Sequence, residues 1–359
     1  MKNVIKKMCL FVIGATAAIS LASCGNNDNN NDSKINQLTK DELKGEFLKE
    51  ANEVVIQNDT VTVVDANDEI IILDKKPENV INLYSSFTTL WYEAGGVVKG
   101  CIGGTSAIEL YVEYIGRDIT QDENVEVMAT SASCKKWSVE TILAKQPDLI
   151  ICSKAMNGYS TIAEPAEAAN VPVLAVEYDD FSDYLKWFKV FCNLTGNESL
   201  WDSIALDALD RVVDVIVETK DLTGPRVFNM FSGTKSFQAN TTNTVCGMMI
   251  EQLGGKNIVS DWENTENSER LDINLEAVYA ANPEMIVVQC HDTQGNVEDF
   301  MNETYGDSPI WQSIMNSVNN EVIFLPKTLF HNKPNRKFAD AYQHLAKILY
   351  PNHTFSFEE

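Results

Sequence analysis

One pattern occurs twice in this chain and constrains what the rest can fold into. Residues 137–152 read WSVETILAKQPDLIIC and residues 273–288 read INLEAVYAANPEMIVV. At an offset of 136 positions, Glu140 matches Glu276, Ala144 matches Ala280 and Pro147 matches Pro283. Each copy predicts a short helix, a proline stop, an acidic residue and a compact apolar run. Proline ends the helix because it lacks an N–H and disfavours helical geometry in the residue before it. The run after it suits a strand buried on both sheet faces. A repeat at this spacing implies two lobes on one plan, since solenoids repeat every ~20–50 residues.

The elements around the two copies follow the same plan. Residues 60–64 and 69–73 flank a polar turn and predict a hairpin. Residues 80–84 predict a strand, 86–94 a helix closed by Gly95-Gly96, and 97–102 another strand. A loop region is expected before the first copy. Helix 160–169, strand 173–176 and helix 181–194 come after it. In the second half, strand 226–231, helix 244–253 and Gly254-Gly255 echo the first. Beyond the second copy come helix 297–304, strand 322–325 and a closing helix over 334–349. Between the halves, Leu200, Trp201, Ile204, Ala208, Val212 and Ile216 predict one helix over 197–221. It contains no proline or glycine, so it is expected to be stiff and to allow little lobe closure, less than about 20°. The expected fold class is α/β, two Rossmann-like lobes with mostly parallel sheets joined by one long bridging helix. The lobes are 56–196 and 223–359, and the bridge is 197–222.

The first 23 residues read as a signal. Lys2, Lys6 and Lys7 precede an apolar stretch too short to span a bilayer comfortably. Leu21-Ala22-Ser23-Cys24 then has the form of a bacterial lipobox, with Cys24 as the acylated anchor. Residues 25–34 are an Asn-rich tether, and a helix is expected over 39–55. The formal net charge of −24 becomes −27 once the three signal lysines are removed. That acidity argues against a nucleic-acid partner, which needs a basic footprint. Cys101, Cys134, Cys152, Cys192, Cys246 and Cys290 form no CxxC pair and read as small core residues.

With the lipobox, the duplicated unit and the bridging helix in hand, the chain resembles the substrate-binding lipoproteins of ABC importers for ferric siderophores, haem and cobalamin. The resemblance runs from about Thr60 to Phe355. It is carried by KKPENVINLY, WSVETILAKQPDLII, MIEQLGGKNI, INLEAVYAANPEMIVV and KPNRKFADAYQHLAKILYP; Phe338 stands where many relatives carry tryptophan. The resemblance implies a non-enzymatic, lipid-anchored, extracytoplasmic monomer working with an ABC permease and its ATPase. It implies no resident cofactor; the ligand is an iron chelate, haem or a cobamide. It implies that Glu140 and Glu276 dock on permease arginines, although each carboxylate also suits the positive end of its helix.

The ligand is expected between the lobes, beyond the carboxyl ends of the strands. The candidates there are Tyr84, Ser85, Thr105, Trp137, Lys154, Tyr178, Phe231, Lys235, Trp262, Arg270, His291 and His331. Aromatic rings cover a flat or greasy ligand, and Lys or Arg meet its oxygens. Either histidine offers an axial ligand to a haem iron. Three other classes stay open. A carrier of bare Zn²⁺ or Mn²⁺ needs several His and carboxylate ligands, and the chain has only four histidines. An enzyme needs a signature such as GxSxG, HExxH or GxxxxGK, and none occurs. A surface module for a protein or polysaccharide is the third.

Overall fold

Thr39 opens the described fold with a capping box, its side chain accepting from the Glu42 N–H while Glu42 reaches back to the Thr39 N–H. The single helix expected over 39–55 is two: α1 (Lys40–Phe47) and α2 (Lys49–Glu53), broken at Leu48. Leu43, Phe47 and Ala51 are their buried residues. The structure is a computed structural model describing residues 35, 37–132, 137–233, 235–263, 265, 268–319 and 321–358. The signal, Cys24 and the tether lie outside the described residues. Residues 32–359 form one compact unit.

The hairpin is β2 (Thr60–Val64) with β3 (Ile70–Asp74), in antiparallel register from Thr60↔Asp74 to Val64↔Ile70. A short β1 (Val55–Ile56) adds an edge strand. Asp65 closes the turn by accepting from the N–H groups of Asn67 (2.8 Å) and Glu69 (3.1 Å).

The first lobe alternates strand and helix. Its order is β4 (Val80–Asn82), α3 (Ser85–Glu93), β5 (Gly100–Ile102), α4 (Thr105–Ile115), β6 (Glu126–Ala129), α5 (Val139–Ala144), β7 (Leu149–Ser153), α6 (Tyr159–Ala168), β8 (Val173–Val176) and α7 (Phe181–Thr195). The five strands pair wholly in parallel, in the order β6-β5-β4-β7-β8. All of β7 is buried, as the LIIC run requires. The expected loop before the first copy instead contains α4 and β6. Ala107, Leu110, Tyr111 and Tyr114 are the buried face of α4, at ordinary helical spacing.

The bridge differs from the expected straight rod. Trp201–Leu206 forms a π-helical segment, followed by α8 (Asp207–Thr219). The apolar positions 200, 204, 208, 212 and 216 recur every four residues, a step that drifts about 40° per turn on an α-helix. A widened π turn returns the stripe toward the core. A π-bulge is a recognised site of helix bending, so the absence of proline and glycine does not make this segment uniform.

The second lobe holds β9 (Arg226–Ser232), β10 (Phe237–Asn240), α9 (Val245–Gln252), β11 (Lys256–Asn257), β12 (Arg270–Asp272), α10 (Leu275–Ala281), β13 (Met285–Cys290), α11 (Gln294–Tyr305), α12 (Pro309–Ser317), β14 (Ile323–Leu325), α13 (Lys327–Phe330) and α14 (Phe338–Leu349). Its path is β12-β10-β9-β13-β14 with β11 beside β9. Strands β9, β11, β13 and β14 are parallel; β10 and β12 form an antiparallel edge. One apolar core continues from the first lobe through α8 and into α14, and a second fills the far side of the C-terminal sheet. Phe338 packs against Tyr178, Phe181 and Tyr184 with ring centroids 5.0–6.1 Å apart. The closing helix of one lobe is thereby seated in the core of the other.

Candidate functional site

A single C-terminal stretch stitches the two lobes together. Four basic residues between 327 and 337 each meet an acid of the first lobe. Lys327 pairs with Glu109 (3.2 Å), Lys333 with Asp179 (3.0 Å), Arg336 with Glu93 (3.6 Å) and Lys337 with Glu113. Asn335, fully buried and in left-handed backbone (φ 50°), donates to the Ser86 carbonyl (3.1 Å) and the Thr89 hydroxyl (2.9 Å). Asparagine tolerates that backbone better than most side chains. The Tyr114 hydroxyl donates to the Pro334 carbonyl at 3.0 Å.

Inside this seam lies a cavity of about 310 Å³. Ser106 and Glu109 of α4 form its first-lobe wall; Ser232, His291, Asp292 and Lys327 stand opposite. Parallel pairing of β9 with β13 sets Ser232 beside Cys290, so His291 emerges one residue past the strand end, where its N–H bonds to the Ser232 carbonyl (3.1 Å).

Four of the expected ligand residues form one continuous column that reaches this cavity at His291. The Arg270 guanidinium lies 4.2 Å from the centroid of Phe231, a cation–π contact. Phe231 stacks nearly parallel on His331 (5.8 Å, 8°), and His331 meets His291 edge-on at 5.2 Å. Arg270 is held by Nε donating to the Asn240 Oδ1 (3.2 Å) and by the Glu269 carboxylate (3.2 Å). Burial, reinforced by His291, Lys327 and Arg270, pushes the His331 imidazole down to about 4. It is therefore neutral at physiological pH, and its buried Nδ1 has no hydrogen-bond partner among the described residues. A neutral imidazole with a free nitrogen is a metal ligand by chemistry.

The remaining expected residues are dispersed. Tyr84 immediately precedes α3, its ring tilted 43° against that of Phe87 at 4.6 Å; burial raises its hydroxyl, with Lys333, Asp179 and Glu269 close enough to bear on it. Ser85 is the first residue of α3, and Thr105 begins α4, exposed and on the wall of a second cavity along that helix. Trp137 is placed in the first-lobe core rather than in the cavity, its ring packed on Gly158, where a Cβ would approach to 2.6 Å. Tyr178 is likewise buried, in the aromatic cluster under Phe338, with Lys333 above its ring at 5.4 Å. Lys154 is exposed and donates to the Ala66 carbonyl (2.6 Å), bracing the hairpin turn. Trp262 packs on the second core, and Lys235 is exposed between β9 and β10. Large rings look the same in sequence whether they line a cleft or fill a core, so type alone did not separate these.

The sequence reading overlooked Glu109, Asp179, Lys327 and Lys333. The first lies in the stretch read as loop; the lysines precede or open an element whose packing only the second lobe's placement defines. Glu140 and Glu276 are exposed in the first turns of α5 and α10. The five described non-anchor cysteines are all buried and unpaired. Burial pushes their thiols up, Cys290 to about 11, which suits packing rather than metal ligation. Among the described residues, no group of three His, Cys, Asp or Glu side chains is arranged to hold a metal ion.

Residues 116–329 match the family described as periplasmic binding protein. An uncharacterized ABC transporter substrate-binding lipoprotein of Bacillus subtilis, YvrC, is 22% identical over 341 residues, 94% of this chain and 95% of that protein. A cobalamin-binding protein of Halobacterium salinarum is 25% identical over 231 residues, covering 63% of this chain and 58% of that one. Staphylococcus aureus IsdE, solved in complex with heme, superposes with a TM-score of 0.60 at 15% identity, over 77% of this chain and 99% of its own.

Proposed function

Because this chain belongs to the periplasmic binding protein family, we propose that it captures an iron chelate or related metal macrocycle between its lobes and hands it to an ABC permease. The chain is a solute-binding protein and not an enzyme, and it works with a permease and an ATPase. The proposed ligand class rests on one observation above all: the Arg270–Phe231–His331–His291 column, which reaches the inter-lobe cavity at His291. Stacked planes accept the flat face of a macrocycle or aryl chelate, the guanidinium takes its oxygens, and His331 offers a neutral nitrogen to an open metal position. The cobalamin-binding and heme-bound relatives support this reading by analogy. Capture in the cleft is expected with Glu140 and Glu276 as permease-docking carboxylates and Cys24 as the lipid anchor on the extracytoplasmic side of the membrane. The YvrC likeness supports that anchor.

Thermal shift of the purified mature protein against haemin, cobalamin, ferric catecholates and ferric hydroxamates tests the ligand class. At least one is expected to bind more tightly than about 100 μM (~−5.5 kcal/mol). If His331 holds the metal, affinity stays level from pH 8 down to about 5, because an imidazole pushed down to about 4 is still neutral there. An ordinary histidine would lose affinity below pH ~6.5. Failure of the whole panel to bind would rule the ligand class out.

A further inference from the structure

A second cavity, about 550 Å³, runs along α4 beside the first. Ile108, Leu110 and Val112 give it an apolar wall, with Thr328 and Asn332 opposite. Glu109 and Lys327 line both cavities, and their ion pair at 3.2 Å stands between them. We propose that this pair is a partition opened by the ligand: an anionic group of the ligand takes Lys327 from Glu109, and its apolar body enters the annex along α4. The site would then favour amphipathic anions, apolar frameworks carrying carboxylate or sulfonate groups, over compact neutral chelates. The inference rests on the proposed ligand cleft and narrows what that cleft selects.

Three features make Lys327 the residue that can change partners. Its side chain is 34% exposed and that of Glu109 is 58% exposed; pairs this wet are worth little in water and are readily exchanged. The other basic residues of the seam line neither cavity: Lys333 is paired with Asp179 and Lys337 with Glu113, while Arg336 lies 3.6 Å from the buried Glu93. Releasing Lys327 therefore leaves the lobes stitched. The backbone beside it is also fixed, because the Tyr114 hydroxyl lies 3.2 Å from the Thr328 carbonyl and 3.0 Å from that of Pro334.

Size and chemistry agree with this division. The first cavity alone lies at the lower end of ligand pockets, which span about 300–1,000 Å³. Joined to the annex, it has room for a macrocycle. The first chamber is mixed, with Ser106, Ser232 and His291 on its walls beside Val297 and Phe300, whereas the annex is mostly apolar. The annex holds Val112, which is 51% exposed and which an apolar body would cover.

The test uses the mature protein with three probes: 1-anilinonaphthalene-8-sulfonate, haemin, and a compact neutral ferric trihydroxamate. Lys327→Met keeps the aliphatic stem and removes the cation; it is expected to weaken both amphipathic anions at least about tenfold. Glu109→Gln removes the competing carboxylate and should tighten them about two- to fivefold. Val112→Asp should weaken them with no loss of melting temperature, since the position is half exposed. Wild-type protein that takes neither anion, or that is matched in affinity by both the Lys327→Met and Glu109→Gln variants, overturns the partition. If the trihydroxamate still binds in that case, the ligand class stands; if no metal chelate binds at all, both fall.

Discussion

A Glu140→Lys, Glu276→Lys double variant is expected to fold, bind its ligand as the wild type does, and deliver almost none of it. Both carboxylates are exposed, in matching first turns of α5 and α10, and neither lines the described cavities. Under the proposed docking on permease arginines, reversal replaces two attractions with repulsions. Like charges set face to face cost several kcal/mol at an interface, so uptake should fall at least about tenfold. The stability cost is smaller. A lysine at a helix start opposes the macrodipole by about 0.3–1 kcal/mol per site. Uptake in whole cells, normalised to folded protein, separates the two effects. Transport that merely tracks a small drop in melting temperature would mean that the carboxylates only stabilise their helices; normal uptake by a folded double variant would exclude docking.

Glu93→Gln is expected to stabilise the protein, by an amount that grows with pH. The side chain is only 2% exposed, at the end of α3, and neither carboxylate oxygen has a hydrogen bond of good geometry among the described residues. Burial pushes its carboxyl up to about 8, against the pull of Arg336 and Lys337. An unfolded glutamate loses its proton near 4.5, so between these values the unfolded chain releases a proton that the folded chain keeps. Stability is complete below that window and declines as pH rises through it, levelling off above about 8. Glutamine has the shape of the protonated form and nothing to ionise. The variant should match the wild type near pH 4.5 and exceed it by roughly 3–5 kcal/mol near pH 9. Denaturant melts at both pH values check this. An equal gain at both, or a loss at pH 9, would show that the Glu93–Arg336 pair stabilises the ionised form after all.

Much of the fold was legible in the sequence because it is written in periodicity and punctuation. The LIIC and MIVV runs, Pro147 and Pro283, and the glycine pairs after α3 and α9 marked strands, stops and caps directly. What escaped was short or depended on distant partners. Residues 237–240 and 270–272 are too brief and too polar to alternate visibly, so the antiparallel edge went unseen. Helix α4 has a readable apolar face but begins after Gly104 without a side-chain cap. The π turn was masked by four-residue steps that resemble a regular stripe. At the site, His291 directly follows the end of β13 and Phe231 is the penultimate residue of β9, whereas Arg270 opens β12 and His331 follows α13. Tyr178 also comes just past a strand end, yet it fills the core, as Trp137 does. Lys327 and Lys333 carried no signal of their own, since a lysine becomes a cleft residue only when the other lobe supplies its acid.

Calorimetric titration of an Arg270→Ala, Phe231→Ala variant with whichever metal chelate the wild type binds tests the central claim most directly. With the column proposed as the ligand's platform on the second lobe, affinity should fall at least about tenfold (~1.4 kcal/mol or more). Trp137→Phe, a change in the first-lobe core, should leave affinity within about twofold even where it lowers stability. Unchanged affinity in a folded Arg270→Ala, Phe231→Ala variant would contradict binding between the lobes at this column.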